Sequence, residues 1–135
     1  MVFFLIMSTL FTKIINQEIP SFKLLEDDHF YSFLDIRPIS AGHSLVIPKQ
    51  EVDHFYDMQD IYLSKILLFS KPLVKAIEKA IPCLRVGSLI AGLEVPHAHL
   101  HLVPIQSMQE FSFNYAKPMS TKELEKIHQK ILEHL

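Results

Sequence analysis

The stretch Val95 to Ile105, VPHAHLHLVPI, places His97, His99 and His101 two residues apart inside an otherwise apolar run. On a strand, successive side chains alternate between faces, so this spacing turns three imidazoles to one side and Ala98, Leu100 and Leu102 to the other. One face then belongs to the core and the other to chemistry. With eight histidines among 135 residues, an H-x-H-x-H arises by chance with a probability of roughly 3%, which favours a functional array over an incidental polar strand face. A metal site is the first competitor. Strand residues four apart lie about 13 Å apart along the backbone, whereas each ligand of a tetrahedral zinc ion needs its nitrogen at about 2.1 Å. Two neighbouring histidines can share one ion; three in a row cannot. A ladder of imidazoles suits something extended, such as a phosphate chain whose oxygens need donors and whose phosphorus needs a nucleophile.

The rest of the chain must hold that ladder in place. Phe11, Ile14, Ile15 and Ile19 have helical spacing, which predicts a short helix over Leu10 to Ile19, stopped by Pro20. FKLLEDD reads as a strand running into an acidic turn at Asp27 and Asp28, Phe30 to Leu34 as a second strand, and HSLVIP after Gly42 as a third. Short strands joined by tight turns favour an antiparallel meander. Glu51 to Ile81 carries the longest helical pattern, with a kink or restart expected near Ser70 to Pro72, because an interior proline removes a backbone hydrogen bond and crowds the preceding turn. LRVGSLIAG is a further strand, Gly92 a turn, and the histidine strand pairs with what precedes it. Glu110 to Tyr115 reads as a strand or extended arm. Ser120-x-x-Glu123 is a capping-box pattern opening an amphipathic helix on Leu124, Ile127, Ile131 and Leu135.

Length and composition bound the alternatives. A chain of 135 residues without repeat or linker is read as one α+β domain over residues 1–135. Its net charge of −2 argues against a nucleic-acid groove, so an anionic ligand has to be held by local donors. The single cysteine, Cys83, excludes an internal disulfide and any multi-thiolate site, in keeping with a reducing compartment, and it has no neighbouring base to activate it. The apolar run in Met1 to Phe11 is shorter than the roughly 20 residues a membrane span requires and lacks a signal peptide's basic flank, so a cytoplasmic protein with no membrane partner is expected. Met7 offers an alternative start, which would make residues 1–7 a non-native or loosely ordered extension.

Three separated blocks, FTKIINQEIP, FLDIRPISAGHSLVIPK and AGLEVPHAHLHLVP, resemble in order and spacing the histidine triad superfamily of nucleotide hydrolases and transferases, over about residues 8 to 106, and most closely its Hint-like branch. The resemblance implies a five-stranded antiparallel sheet with a central and a C-terminal helix, a homodimer, and a nucleotide cleft at the end of the histidine strand. It implies that His99 is the nucleophile attacking an α-phosphorus, with a nucleotidyl-imidazole intermediate. Imidazole, with an ordinary pKa near 6.5, is mostly unprotonated at pH 7 and suits that task. By the same correspondence His101 donates to a non-bridging phosphate oxygen, and His97 and His43 assist near the leaving group and keep the array in order. Asp35 matches the position that binds the ribose hydroxyls, and Phe11, Ile14, Phe33, Ile36 and Leu45 match the walls around the base, with Gly92 at the turn before the triad.

The departures from the family pattern carry information too. Thr9 and Thr12 stand where many relatives have two cysteines, so no structural zinc is expected, and no cofactor. Val86, Leu93 and Glu94 replace an amide, a glutamine and a hydroxyl residue. These changes remove donors and add an acid: either the substrate is less charged than a dinucleoside polyphosphate, or Glu94 points away from it. The resulting expectation is a hydrolase of a purine nucleoside 5′-phosphoramidate or related conjugate. A dinucleoside polyphosphate hydrolase is the nearest alternative, and a non-catalytic nucleotide- or metal-binding module the alternative from another class. Pairing of two copies is expected to cover apolar residues such as Ile66, Leu73 and Ile77 on the central helix.

Overall fold

The computed structural model describes residues 9–135. The reading of Met7 as a start and of residues 1–7 as an extension lies outside them. Among the described residues, no helix is long and apolar enough to cross a membrane.

Five strands form one antiparallel sheet: β1 (Lys23–Glu26), β2 (Phe30–Leu34), β3 (Ser44–Pro48), β4 (Arg85–Leu89) and β5 (Leu100–Ile105), in the order β1-β2-β3-β5-β4. The strand carrying His101 is therefore interior, with Leu45 opposite His101 on one side and Leu89 on the other. Period-two alternation divides the sheet's side chains between two layers. Phe30, Leu34, Val46, Leu100 and Leu102 pack with the long helix α2 (Asp60–Ala80) and the C-terminal helix α3 (Thr121–Leu132). Tyr31, Phe33, Leu45 and Ile47 face the other way, against Phe11 and Ile14 of the short helix α1 (Leu10–Ile15). Ser32 is fully buried but satisfied: its hydroxyl donates to the Leu25 carbonyl and accepts from the Leu25 N–H, at the place where the β1–β2 register shifts.

Several elements differ from their expected extents, each for a local reason. Helix α1 ends at Ile15, short of Pro20. Gln17 adopts φ +63°, and Glu18 N–H and Gln17 N–H close on the Lys13 and Ile14 carbonyls, a Schellman stop built without glycine. Helix α2 begins at Asp60 rather than Glu51, because the Val52 carbonyl accepts from Ala98 N–H (2.7 Å) and is not free for a helical bond. It then runs unbroken through Pro72, and no restart occurs. Pro72 lies on the exposed face, where the carbonyl it leaves unpaired can meet water. Glu110 to Tyr115 is not a strand; it is built of two 3₁₀ turns, Met108–Glu110 and Phe113–Tyr115. Helix α3 is capped as expected by Ser120, whose hydroxyl accepts from Glu123 N–H, but it ends at Leu132 and leaves Leu135 exposed.

One expectation is overturned. Ile66, Leu73 and Ile77 are core residues beneath the sheet, and the apolar side chains that α2 presents to solvent are Ile61, Leu67 and Leu68.

Gly42, just before β3, has φ +93°, and a Cβ there would lie 3.0 Å from Ile81 Cγ1 and 3.1 Å from Pro104 Cγ. Only glycine combines that backbone with that close approach. The turn it makes delivers His43 into the sheet.

Candidate active site

The histidines do not all lie on a regular strand. β5 starts at Leu100, and the segment before it is irregular, because Pro96 has no N–H, His97 N–H turns back to the Val95 carbonyl (2.8 Å), and Ala98 N–H goes across to Val52. The alternation survives nonetheless. Ala98, Leu100 and Leu102 belong to the core beneath the sheet, while Phe11 of α1 touches both His97 and His99, with ring centroids 5.6 and 5.2 Å away. His97, His99, His101 and His43 are all buried.

Their hydrogen bonds fix which nitrogens carry protons. Ile39 N–H donates to His43 Nδ1 (2.9 Å), so the neutral ring must carry its proton on Nε2. That nitrogen lies 2.9 Å from His101 Nδ1, which therefore accepts, leaving His101 with a proton on Nε2. His101 Nε2 is a buried donor with no partner among the described residues. Burial, reinforced by the neighbouring imidazoles, pushes His43 down to about 3 and His101 down to about 4, so both are neutral at pH 7. His99 Nδ1 donates to the His97 carbonyl (2.7 Å), which leaves the lone pair of a neutral ring on Nε2. The two rings meet edge to face at 4.8 Å. A lone pair and a donor thus stand side by side, the arrangement needed to attack one atom of a group while binding another.

His97 does a different job. Its Nε2 donates to the Pro48 carbonyl at the end of β3 (2.9 Å), and its Nδ1 accepts from the Thr9 hydroxyl (2.8 Å). Thr9 also caps α1 by accepting from Thr12 N–H, with the Thr12 hydroxyl 3.1 Å away. Thr9 and Thr12 are thus two neighbouring hydroxyls, the first of them bonded to an imidazole whose nitrogens are both committed. Two neutral hydroxyls and an imidazole with no free nitrogen do not fit a zinc ion, which takes thiolate, free imidazole or carboxylate donors. Two other groups, Asp35–His43–His101 and Glu94–His99–His101, each bring three donor atoms within 4.8 Å of one another. In the first, the facing nitrogens of His43 and His101 are spent on each other.

His99 and His101 form one end of a cavity of about 540 Å³ between α1 and the sheet. All five residues expected to surround a base, Phe11, Ile14, Phe33, Ile36 and Leu45, line it, as does Asp35. Asp35 Oδ1 accepts from Arg37 N–H (2.8 Å), and Oδ2 is 3.6 Å from His43 Nε2. Burial raises the Asp35 carboxyl above its ordinary value, a shift opposed by the Arg37 N–H. His97, His43 and Gly92 are not part of the cavity wall; Gly92, at φ +84°, makes the turn ahead of Glu94. The sequence did not point to Arg37, Val95 or Phe113 as wall residues. Phe113 packs its ring edge against His101 at 5.0 Å from within a 3₁₀ turn, and a lone aromatic in a weakly patterned segment carries no signal of that. Glu94 points inward, with Oε2 at 3.3 Å from His99 Nε2.

This fold is matched by known proteins. The model of the HIT domain matches residues 16–108, and the chain belongs to the histidine triad family. It is 43% identical over 96 residues to an adenosine 5′-monophosphoramidase of Saccharomyces cerevisiae, a match covering 70% of this chain and 61% of that protein. A protein of the same description from Candida albicans is 36% identical over 140 residues, covering 95% and 91% of the two chains. Among solved structures, a HIT-like protein involved in cell-cycle regulation from Bartonella henselae superposes with a TM-score of 0.83 at 28% identity, covering 95% of this chain and 96% of that one.

Proposed function

We propose that the chain is a nucleotidyl hydrolase of the histidine triad type that cleaves the phosphorus–nitrogen bond of a purine nucleoside 5′-phosphoramidate. The observation that carries this reading is His99, anchored through Nδ1 with its Nε2 turned to the cavity, beside the unpartnered Nε2–H of His101, at the end of an apolar cavity with a carboxylate at Asp35. The monophosphoramidase relatives support it.

In this reading the base lies among Phe11, Ile14, Phe33, Ile36 and Leu45, and the ribose hydroxyls donate to Asp35. His99 Nε2 attacks the α-phosphorus, a phosphorus–nitrogen bond to the imidazole forms, and the bond to the leaving amine breaks, the amine departing with the electron pair and a proton taken from solvent at the open mouth. His101 Nε2–H binds a non-bridging oxygen as charge builds there. Water then attacks the same phosphorus, the bond to His99 breaks, and nucleoside 5′-monophosphate leaves with release of one proton. His43 fixes the tautomer of His101, and the His97 carbonyl fixes that of His99, so both act by positioning.

Rapid-quench mass spectrometry with an adenosine phosphoramidate tests the reading. The nucleotidyl mass should appear on the peptide containing His99, and His99→Gly should keep nucleotide binding while losing turnover by more than the roughly 100- to 10,000-fold typical of a positioned acid or base. An adduct on another residue, or oxygen-18 labelling that shows one-step attack by water, would overturn it.

A further inference from the structure

Glu94 has no role in the scheme above, yet its Oε2 lies 3.3 Å from the nitrogen that scheme uses for attack. Its side chain is 43% exposed while that of His99 is 1% exposed, so it stands at the mouth of the cavity rather than in its floor. The charged residues lining the cavity are Asp35, Arg37 and Glu94. With His43 and His101 neutral, the wall offers one cation against two carboxylates. Among the described residues, no lysine or arginine forms an ion pair with Glu94. A nucleoside monophosphoryl group brings about one negative charge, which the imidazole donors can receive. A leaving group carrying further phosphates would bring several more up to an unneutralised carboxylate.

We propose that Glu94 selects the leaving group, favouring conjugates whose departing amine carries a second, cationic nitrogen and disfavouring anionic leaving groups such as a second nucleotide's phosphates. The inference rests on His99 being the nucleophile: the departing group then stands in line across phosphorus from His99 and leaves through the mouth of the cavity, which the partly exposed Glu94 borders. A unit charge a few ångströms from a carboxylate at a partly exposed site changes the free energy enough to shift rates by about tenfold, with opposite signs for cation and anion.

The experiment uses three adenosine 5′-phosphoramidates with arms of equal length ending in an ammonium, a methoxy group or a carboxylate. For the wild-type protein kcat/KM should fall in that order. Glu94→Gln should shrink the ammonium-to-carboxylate ratio by about tenfold, and Glu94→Lys should reverse the order, which a merely structural residue would not do. The same three arms on adenosine 5′-alkylphosphonates, in which carbon replaces the scissile nitrogen, give the binding preference by calorimetry without turnover. Turnover of all three conjugates with a ratio that Glu94→Gln leaves unchanged overturns the selector alone. No turnover of any conjugate overturns the hydrolase reading and, with it, the selection of a leaving group.

Discussion

His43 Nε2 and His101 Nδ1 lie 2.9 Å apart, so a residue entering β3 sets the proton on a residue of β5. The chain of donors begins at a backbone amide, Ile39 N–H, which cannot change its state. The tautomer of His101 is therefore fixed by the turn through Gly42 and not by solvent.

This buried pair predicts how stability depends on pH. His43 at about 3 and His101 at about 4 lie below the 6.5 of a free imidazole, so the unfolded chain takes up protons that the native state refuses. Their contribution is complete above about pH 6.5 and falls as the pH drops towards the folded values. The urea midpoint should decline between pH 6.5 and 5, before most carboxylates titrate, and His43→Gln should flatten that decline. A midpoint constant over the window would contradict the assignment.

Asp35→Ala should raise KM more than it lowers kcat, since the proposed partner is the non-reacting ribose. The loss of a hydrogen bond to a charged group corresponds to about 1.5 to 3 kcal/mol, or about 10- to 100-fold in KM. Calorimetry that finds nucleoside binding unchanged would remove Asp35 from the ribose site.

Thr9→Val removes both the cap of α1 and the bond to His97 Nδ1. Loss of such a cap costs about 1 kcal/mol, or roughly 4 °C in Tm for a domain of this size. Because His97 positions His99 through its carbonyl, kcat should fall by less than tenfold, and KM should rise as α1, which carries Phe11 and Ile14, loosens. As hydroxyls stand at both positions, activity should persist in EDTA and elemental analysis should show no stoichiometric zinc. One zinc per chain, with activity lost on chelation, would refute the hydroxyl-tie account.

Light scattering at micromolar concentration should give twice the 15.6 kDa chain mass. β4 is an edge strand, and Leu67, Leu68 and Leu84 are exposed on α2 and just before β4. Leu84→Glu should shift the population to monomer if this edge is the pairing surface; an unshifted dimer would place the contact elsewhere.

Much of the site was legible because period-two alternation does not depend on where a strand begins. Ala98, Leu100 and Leu102 fall in the core as their spacing requires. What alternation could not show is that Pro96 and the Val52–Ala98 bond divert the backbone, so His97 becomes a tie to Thr9 and Pro48 and not a third wall residue. Four of the apolar wall residues, Phe11, Ile14, Phe33 and Leu45, could not be told from ordinary core by composition, since they are core on one side and cavity on the other, while Ile36 is exposed. The end of α1 was misjudged because the visible breaker was Pro20, while the actual stop is a left-handed Gln17, a conformation that this side chain does not advertise. The inward aim of Glu94 depends on the turn at Gly92, a fact of tertiary geometry that no local pattern encodes.

The position of β5 between β3 and β4 has a consequence for how the molecule comes apart. All six residues of β5 are buried and the strand has a paired neighbour on each side, with His101 and Leu102 matched on both, whereas α1 has six residues and inserts only Phe11 and Ile14. Local opening is cheapest where buried contacts are fewest. Amide exchange at His101 should therefore report global unfolding, while exchange in α1 should be faster and slowed by bound nucleotide. The His101 ring is carried by the last part to open and the Phe11 and Ile14 side of the nucleoside wall by the first, so the cavity can breathe without disturbing that imidazole.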